Sequence, residues 1–341
     1  MLNIALTFDY ELFFGENFYS ENEVLFEPTK KVSDLLNEYK ISGTFYADVS
    51  SVFAYKRERP ESDYPENFKN QLVYLKSKNQ DIQLHIHSHW ETAKWKNKRW
   101  DIDEETYKLH YFIEHRDVFS ADQIIRRNIK YLYDTVRGVE SDYNCISFRA
   151  GGFCIQPIDV IGEYLREAGI KIDSSVAVMQ KFDSNVHSYN YVRKYEQLNW
   201  NILNGIYEIP VGAVKNNIVR RVLFGNEYKT LHREIVRGTA IHASSLKKYN
   251  KWKYFLNYGN THKMMSLDSM PYKQLVYGLN KYYKKYDCMN KESYVAIICH
   301  PKCVDNLILE NMKMFIETVQ KQSNKFRFLS ITQMYEEMKR G

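Results

Sequence analysis

Three histidines fall within five residues at the end of an apolar run, in Asp81-Ile82-Gln83-Leu84-His85-Ile86-His87-Ser88-His89-Trp90. Imidazoles gathered this closely are most useful around a transition metal, which their ring nitrogens ligate. On an extended strand all three point to one face. Where the strand curls into a loop, His85 and His89 converge on one ion while His87 turns away. Asp9 and Glu11 close another apolar run, Leu6-Thr7-Phe8-Asp9-Tyr10-Glu11. A carboxylate there completes a two-histidine, one-carboxylate site or acts as general base. Capping of the next turn is the commoner use of a lone Asp in such a place. Arg149 follows a further apolar run in Phe148-Arg149-Ala150-Gly151-Gly152-Phe153 and can pin a carboxylate such as Asp9. Gly151 and Gly152 let the backbone approach a ligand or aim N–H groups at an oxyanion. A structural arginine beside a tight turn explains the same residues equally well. His300 follows Ile297-Ile298-Cys299 and is a candidate general acid. Cys299 and Cys303 flank it, but no second Cys/His pair stands at matching spacing, which argues against a thiolate zinc site.

These residues need elements that bring them together. Apolar runs at Asn3–Phe8, Thr44–Ala47, Ile82–Ile86, Cys145–Phe148, Ile170–Asp173, Ile206–Pro210 and Tyr294–Cys299 read as buried strands. Helical-period segments alternate with them, at Pro28–Tyr39, up to Ser77, Ala121–Val136 and Pro157–Ala168. Ser330-x-x-Gln333 predicts a capping box at the start of the last helix. Strand–helix alternation with near-continuous apolar strands means a parallel sheet covered by helices, an α/β fold. Functional side chains in such folds gather past the C-terminal ends of the strands. Asp9, His85 to His89, Arg149, Asp173 and His300 all lie there. Residues 90–120, with Trp90, Trp95 and Trp100, read as an insertion near the site, and Trp90 as a candidate substrate contact. Residues 180–290 are polar, Tyr-rich and least legible.

Composition bounds the rest. With 341 residues, 44% hydrophobic and 26% charged, the chain is an ordinary globular sequence. Its net charge of +6 is scattered rather than gathered in a tail. That suits an anionic small partner, such as a nucleotide-linked sugar, better than nucleic acid. The 28 tyrosines suit a sugar-binding cleft, though A·T-rich coding explains them as well. No apolar run approaches the roughly 20 residues that span a bilayer. The N-terminus lacks a basic region ahead of its apolar run, so it reads as a first strand rather than an export signal. Five cysteines in mostly apolar surroundings fit reduced thiols and a cytoplasmic location.

The combination Thr7-Phe8-Asp9, His85-x-x-x-His89, Phe148-Arg149-x-Gly-Gly and a histidine after a late buried strand resembles the polysaccharide deacetylase (NodB-type) superfamily. Gly43-Thr44-Phe45-Tyr46 is similar to its second strand. The Leu-His-Ile-His-x-His-Trp form resembles a divergent branch encoded among surface-polysaccharide (O-antigen or capsule) genes. The resemblance runs from Ile4 to the final helix, with residues 90–120 and 180–290 unmatched. It implies a distorted (β/α) barrel of about seven strands with helical insertions, as a single domain over residues 1–341. It implies one divalent metal, zinc foremost, held by His85 and His89. It further implies Asp9 as base, Arg149 orienting it, His300 as general acid and Asp173 tuning that acid. The family carries a second Asp after the base as metal ligand. Here that residue is Tyr10, and Glu11 is expected in its place. The Pro-Pro frequent after the family's arginine is Ala150-Gly151 here.

The expected activity is hydrolysis of an N-acetyl or N-formyl group on an amino sugar or glycan, nucleotide- or lipid-linked or polymeric. Asp9 takes a proton from water, a backbone N–H near Gly152 and the metal meet the oxyanion, and His300 protonates the departing amine. Two rivals stand beside it. Deaminases and lactonases of amidohydrolase type also use His-x-His on a barrel, but after the first strand rather than the third. A non-catalytic carbohydrate-binding relative would account for Tyr10 at the ligand position.

Overall fold

The computed structural model describes residues 1–13, 20–115, 119–183, 188–192, 201–203, 205–215, 262–287 and 293–340. Seven parallel strands form its centre: β1 (Leu2–Tyr10), β2 (Thr44–Asp48), β3 (Asp81–Ile86), β4 (Ser147–Ala150), β5 (Ile172–Asp173), β6 (Ile206–Glu208) and β7 (Ser293–Cys299). They lie in the order β6-β5-β4-β3-β2-β1-β7. Asn201–Leu203 adds an antiparallel edge beside β6, and Phe326–Phe328 pairs with the start of β1. The open ends meet at a short seam. Val211, just past β6, bridges Ala296 of β7, with Gly212 N–H donating to Ala296 O at 3.0 Å and Ala296 N–H to Pro210 O at 3.0 Å. Nearer the strand ends, Ser266 bridges Ile298, and Leu267 N–H donates to Ile298 O at 2.8 Å. The result is a distorted α/β barrel, as the sequence predicts.

Every residue of β1, β2, β3 and β7 is buried, because helices cover the outer face and side chains fill the inner one. The outer helices include α1 (Glu27–Glu38), α2 (Ser50–Glu58), α3 (Tyr64–Ser77), α4 (Ala121–Val136), α5 (Asp159–Glu167), α6 (Tyr272–Asp287), α7 (Asn306–Gln320) and α8 (Ile331–Arg340). In α4, Ile124, Ile125, Ile129 and Leu132 recur at helical spacing and are buried, so its inward stripe is apolar. Helix α8 begins with the predicted capping box: Ser330 N–H donates to Gln333 Oε1 at 2.9 Å and Gln333 N–H to Ser330 Oγ at 3.2 Å.

Residues 90–120 contain a hairpin of Lys94–Lys96 with Arg99–Asp101, in which Trp95 faces Trp100. Ser88 Oγ ties the end of β3 to Thr106 O at 2.8 Å, so this segment rests over the histidine run. Of the expected insertion at 180–290, residues 184–187, 193–200, 204, 216–261 and 288–290 lie outside the described residues. Cys145, Cys154, Cys299 and Cys303 are free thiols, and Cys288 is outside the described set. No helix among the described residues is long and apolar enough to cross a membrane.

Candidate active site

Strand register places the polar residues. Asp48, His85 and Arg149 are lateral neighbours across β2, β3 and β4, and Asp173 and Glu208 are neighbours across β5 and β6. Alternation then sorts their faces. Asp9 and Glu11 share the inner side. Tyr10 points outward, fully buried against Phe68 at 4.9 Å between ring centroids. A carboxylate at position 10 would therefore miss the barrel interior, whereas Glu11 reaches it.

Glu11, His85 and His87 bring one ligand atom each within 4.8 Å of one another, all buried. Glu11 Oε2 lies 3.0 Å from His85 Nε2 and in contact with His87 Nε2. His85 Nδ1 donates to Arg149 O at 2.8 Å, which fixes the ring and presents Nε2 to the site. This set differs from the expected His85, His89 and Glu11. The chain stays extended through His87 (φ −101°, ψ 98°), and the 3₁₀ turn Ser88–Glu91 begins only after it. Alternation by two thus carries from His85 to His87 and is lost before His89. His89 is buried on the far side of His87, outside the three-ligand group, its ring stacked on Tyr107 at 5.3 Å.

The electrostatics follow from burial and neighbours. Burial would raise the Glu11 carboxyl, but Lys302, His87 and His85 outweigh it and hold it well below the usual range. Burial would lower His85, yet Asp9, Glu11 and Asp48 push it up to about 9. His87 falls to about 4, because burial, aided by His85 and Lys302, exceeds the pull of Glu11. Burial thus favours the neutral imidazole at His87, whereas the carboxylates around His85 favour its charged form.

Arg149 is fully buried and completely engaged. Its Nη1 donates to Asp9 Oδ1 at 2.6 Å, Nε to Ser174 O at 2.9 Å and Nη2 to Ser174 Oγ at 2.9 Å, with the guanidinium 4.3 Å from the Tyr46 ring centroid. Asp9 Oδ2 is left facing His300 Nε2 at 3.9 Å, and that nitrogen is also 3.9 Å from Glu11 Oε1. On its other side His300 Nδ1 meets Asp268 Oδ2 at 2.8 Å. The expected partner, Asp173, accepts instead from Ser175 Oγ, with Glu208 as its neighbour across the strands. The side chain that meets His300 Nδ1 is thus Asp268, on the seam segment. Burial pushes Asp173 up to about 6, and burial with Asp173 beside it raises Glu208 further, so these two form a carboxyl pair next to Arg149.

Burial lowers His300, but Asp268, Asp9 and Glu11 outweigh it and raise its pKa. A general acid works only while protonated, so activity that depends on His300 in the expected role is lost as pH rises through that pKa. Asp268→Asn is expected to move the alkaline limb of the pH–rate profile to lower pH, read as kcat against pH. An unmoved limb would dissociate Asp268 from the acid.

Packing places two further residues. Trp90 is fully buried and edge-on to Trp100 at 5.1 Å, so its ring is no open platform for substrate. Its Nε1 donates to Asp48 Oδ2 at 2.8 Å, while Asp48 Oδ1 accepts from His87 N–H at 3.2 Å. Asp48, at the end of β2, therefore ties the histidine turn to the barrel; burial, with Glu11 adding to it, pushes its carboxyl up to about 7 against the pull of His85. Gly151 packs directly against His87. A Cβ there would meet His87 Nδ1 at 2.6 Å and Ile86 O at 2.8 Å. Gly151→Ala is expected to displace His87 and weaken metal binding about 10–100-fold, the cost of disturbing a ligand's support. Titration with Zn²⁺ checks this, and unchanged affinity would refute it. Gly152 adopts φ +56° in the same turn.

No family model matches the sequence, and no curated protein matches it. Solved structures resemble it remotely. A proposed polysaccharide deacetylase from Mycobacterium smegmatis aligns with 98% of this chain and 89% of its own at 10% identity, TM-score 0.46. The α-amylase AmyC of Thermotoga maritima aligns with 98% and 74% at 10% identity, TM-score 0.46. The family 4 carbohydrate esterase PdaA of Bacillus subtilis aligns with 98% and 81% at 13% identity, TM-score 0.36.

Proposed function

We propose that this chain is a metal-dependent hydrolase that removes an N-acetyl or N-formyl group from an amino sugar. One observation supports the reading above others. The Glu11–His85–His87 group, the Arg149-held Asp9 and the Asp268-held His300 meet at one end of the barrel. Two imidazoles and a carboxylate are a zinc-type donor set, and the buried, convergent nitrogens fit such an ion. A divalent ion held by Glu11, His85 and His87 would supply Lewis acidity and activate water at neutral pH.

The chain's own groups divide the remaining work. Arg149 occupies Asp9 Oδ1, so Asp9 Oδ2 is the oxygen that takes the proton from water. His300 Nε2, across the 3.9 Å gap, gives a proton to the leaving nitrogen. Water adds to the acyl carbon, the C–N bond breaks, and a carboxylate and a free amine leave. The Gly151-Gly152 turn stands beside His87 and offers backbone N–H groups to the oxyanion. The substrate class is an amino sugar or glycan of surface-polysaccharide assembly, of O-antigen type. A cytoplasmic enzyme would meet it as a nucleotide- or lipid-linked precursor. On this reading residues 1–341 act as a single domain.

The test is release of acetate or formate, with matching free amine, from N-acyl amino sugars. Activity is expected with zinc-loaded protein and none after chelation. A His300→Ala variant that still holds zinc should be about 10²–10⁴-fold slower, the usual worth of a general acid. Wild-type turnover in that variant, or turnover indifferent to chelation, would sink the mechanism.

A further inference from the structure

The candidate ligand Glu11 has two carboxylate oxygens with different neighbours. Oε2 faces His85 and His87. Oε1 accepts from Lys302 Nζ at 2.7 Å. The same ammonium donates to Leu12 O at 3.0 Å and lies 5.1 Å from the Phe13 ring centroid. Its side chain is only 9% exposed. Lys302 sits in the 3₁₀ turn Pro301–Cys303, two residues past His300, so it joins the loop after β7 to the loop after β1.

A cation this close to a metal ligand poses a question of sign. By charge alone it repels a divalent ion and should weaken binding. By geometry it does the opposite. Glu11 lies past the end of β1, where no strand ladder holds its backbone. A free glutamate there would rotate, or offer both oxygens to an ion. Lys302 removes that freedom by occupying Oε1 and anchoring Leu12. We infer that Lys302 is a positioning residue of the metal centre, which holds Glu11 so that Oε2 alone is presented beside His85 and His87. The inference rests on the metal-centre reading above. A lysine fits the task because its ammonium is compact and donates from a single point, whereas a planar guanidinium would engage both carboxylate oxygens.

The experiment compares Zn²⁺ affinity, by chelator competition, in wild type, Lys302→Met and Lys302→Gln, each checked for fold by circular dichroism. Cobalt-loaded samples add the visible spectrum, which reports coordination number. Lys302→Met is expected to bind about 10–100-fold more weakly, as loss of a ligand's supporting partner does. Its cobalt spectrum should lose intensity as Glu11 turns to grip the ion through both oxygens. Lys302→Gln retains an N–H donor for Oε1 and should bind at or modestly below wild-type strength. Binding at wild-type strength or tighter in Lys302→Met, or tighter than wild type in Lys302→Gln, would show that repulsion dominates and would overturn the inference. Should Lys302→Met fail to fold, the Gln variant alone decides by the same sign. Wild type that binds no zinc would refute the metal centre itself, a separate failure.

Discussion

His87→Ala is expected to abolish stable zinc binding and with it activity, while His89→Ala retains both. The two histidines are separated by one residue, yet only His87 shares the extended backbone that carries His85 into the site. Loss of one of three ligands should exceed the roughly 10–100-fold cost of a missing supporting partner. His89 is packed between Tyr107 and Trp90, so its removal empties buried space and lowers the melting temperature. Metal content after dialysis, measured beside thermal unfolding, separates the two. Zinc lost from His89→Ala and kept in His87→Ala would reverse the ligand assignment.

Arg149→Met is expected to be the most destabilising single change in the barrel interior, by about 3–5 kcal/mol. The loss comes less from the attraction removed than from the charge left behind. Asp9 would stay buried with its guanidinium gone, and Ser174 O and Oγ would lose their donors. A second change, Asp9→Asn, removes the stranded charge. The double variant should recover part of the stability of Arg149→Met, though none of the activity. Denaturant unfolding of the three variants tests this. A double variant no more stable than Arg149→Met would mean the pair is not coupled.

The barrel is legible because its strands are buried on both faces and so appear as near-continuous apolar runs. The same logic marked the strand ends, which is how Asp9, His85, Arg149 and His300 could be named together. What a strand-end rule cannot see is where extended backbone stops. His87 and His89 differ only in that respect, and the 3₁₀ turn at Ser88 has no strong sequence signal. Asp48 was within reach, since it follows Thr44–Ala47 as Asp9 follows Phe8. Asp268 was not, because it lies in a polar stretch without periodicity and reaches His300 by closing the seam. The neighbours of Trp90 in sequence are polar, while its neighbours in space are Asp48 and Trp100.

The seam ties two properties that are usually separate. Near the strand ends the barrel is completed by the segment that carries Asp268, through Leu267 N–H on Ile298 O. Asp268 in turn accepts from the His300 backbone N–H at 2.9 Å as well as from its ring. Two isolated bridges close the seam, as few as the registered pairs that join β5 to β4 and to β6, so it is one of the places where local opening can begin. Each such opening withdraws the partner that keeps His300 basic. On the proposed role of His300, a shut seam is what keeps Asp268 against the ring that would carry the proton.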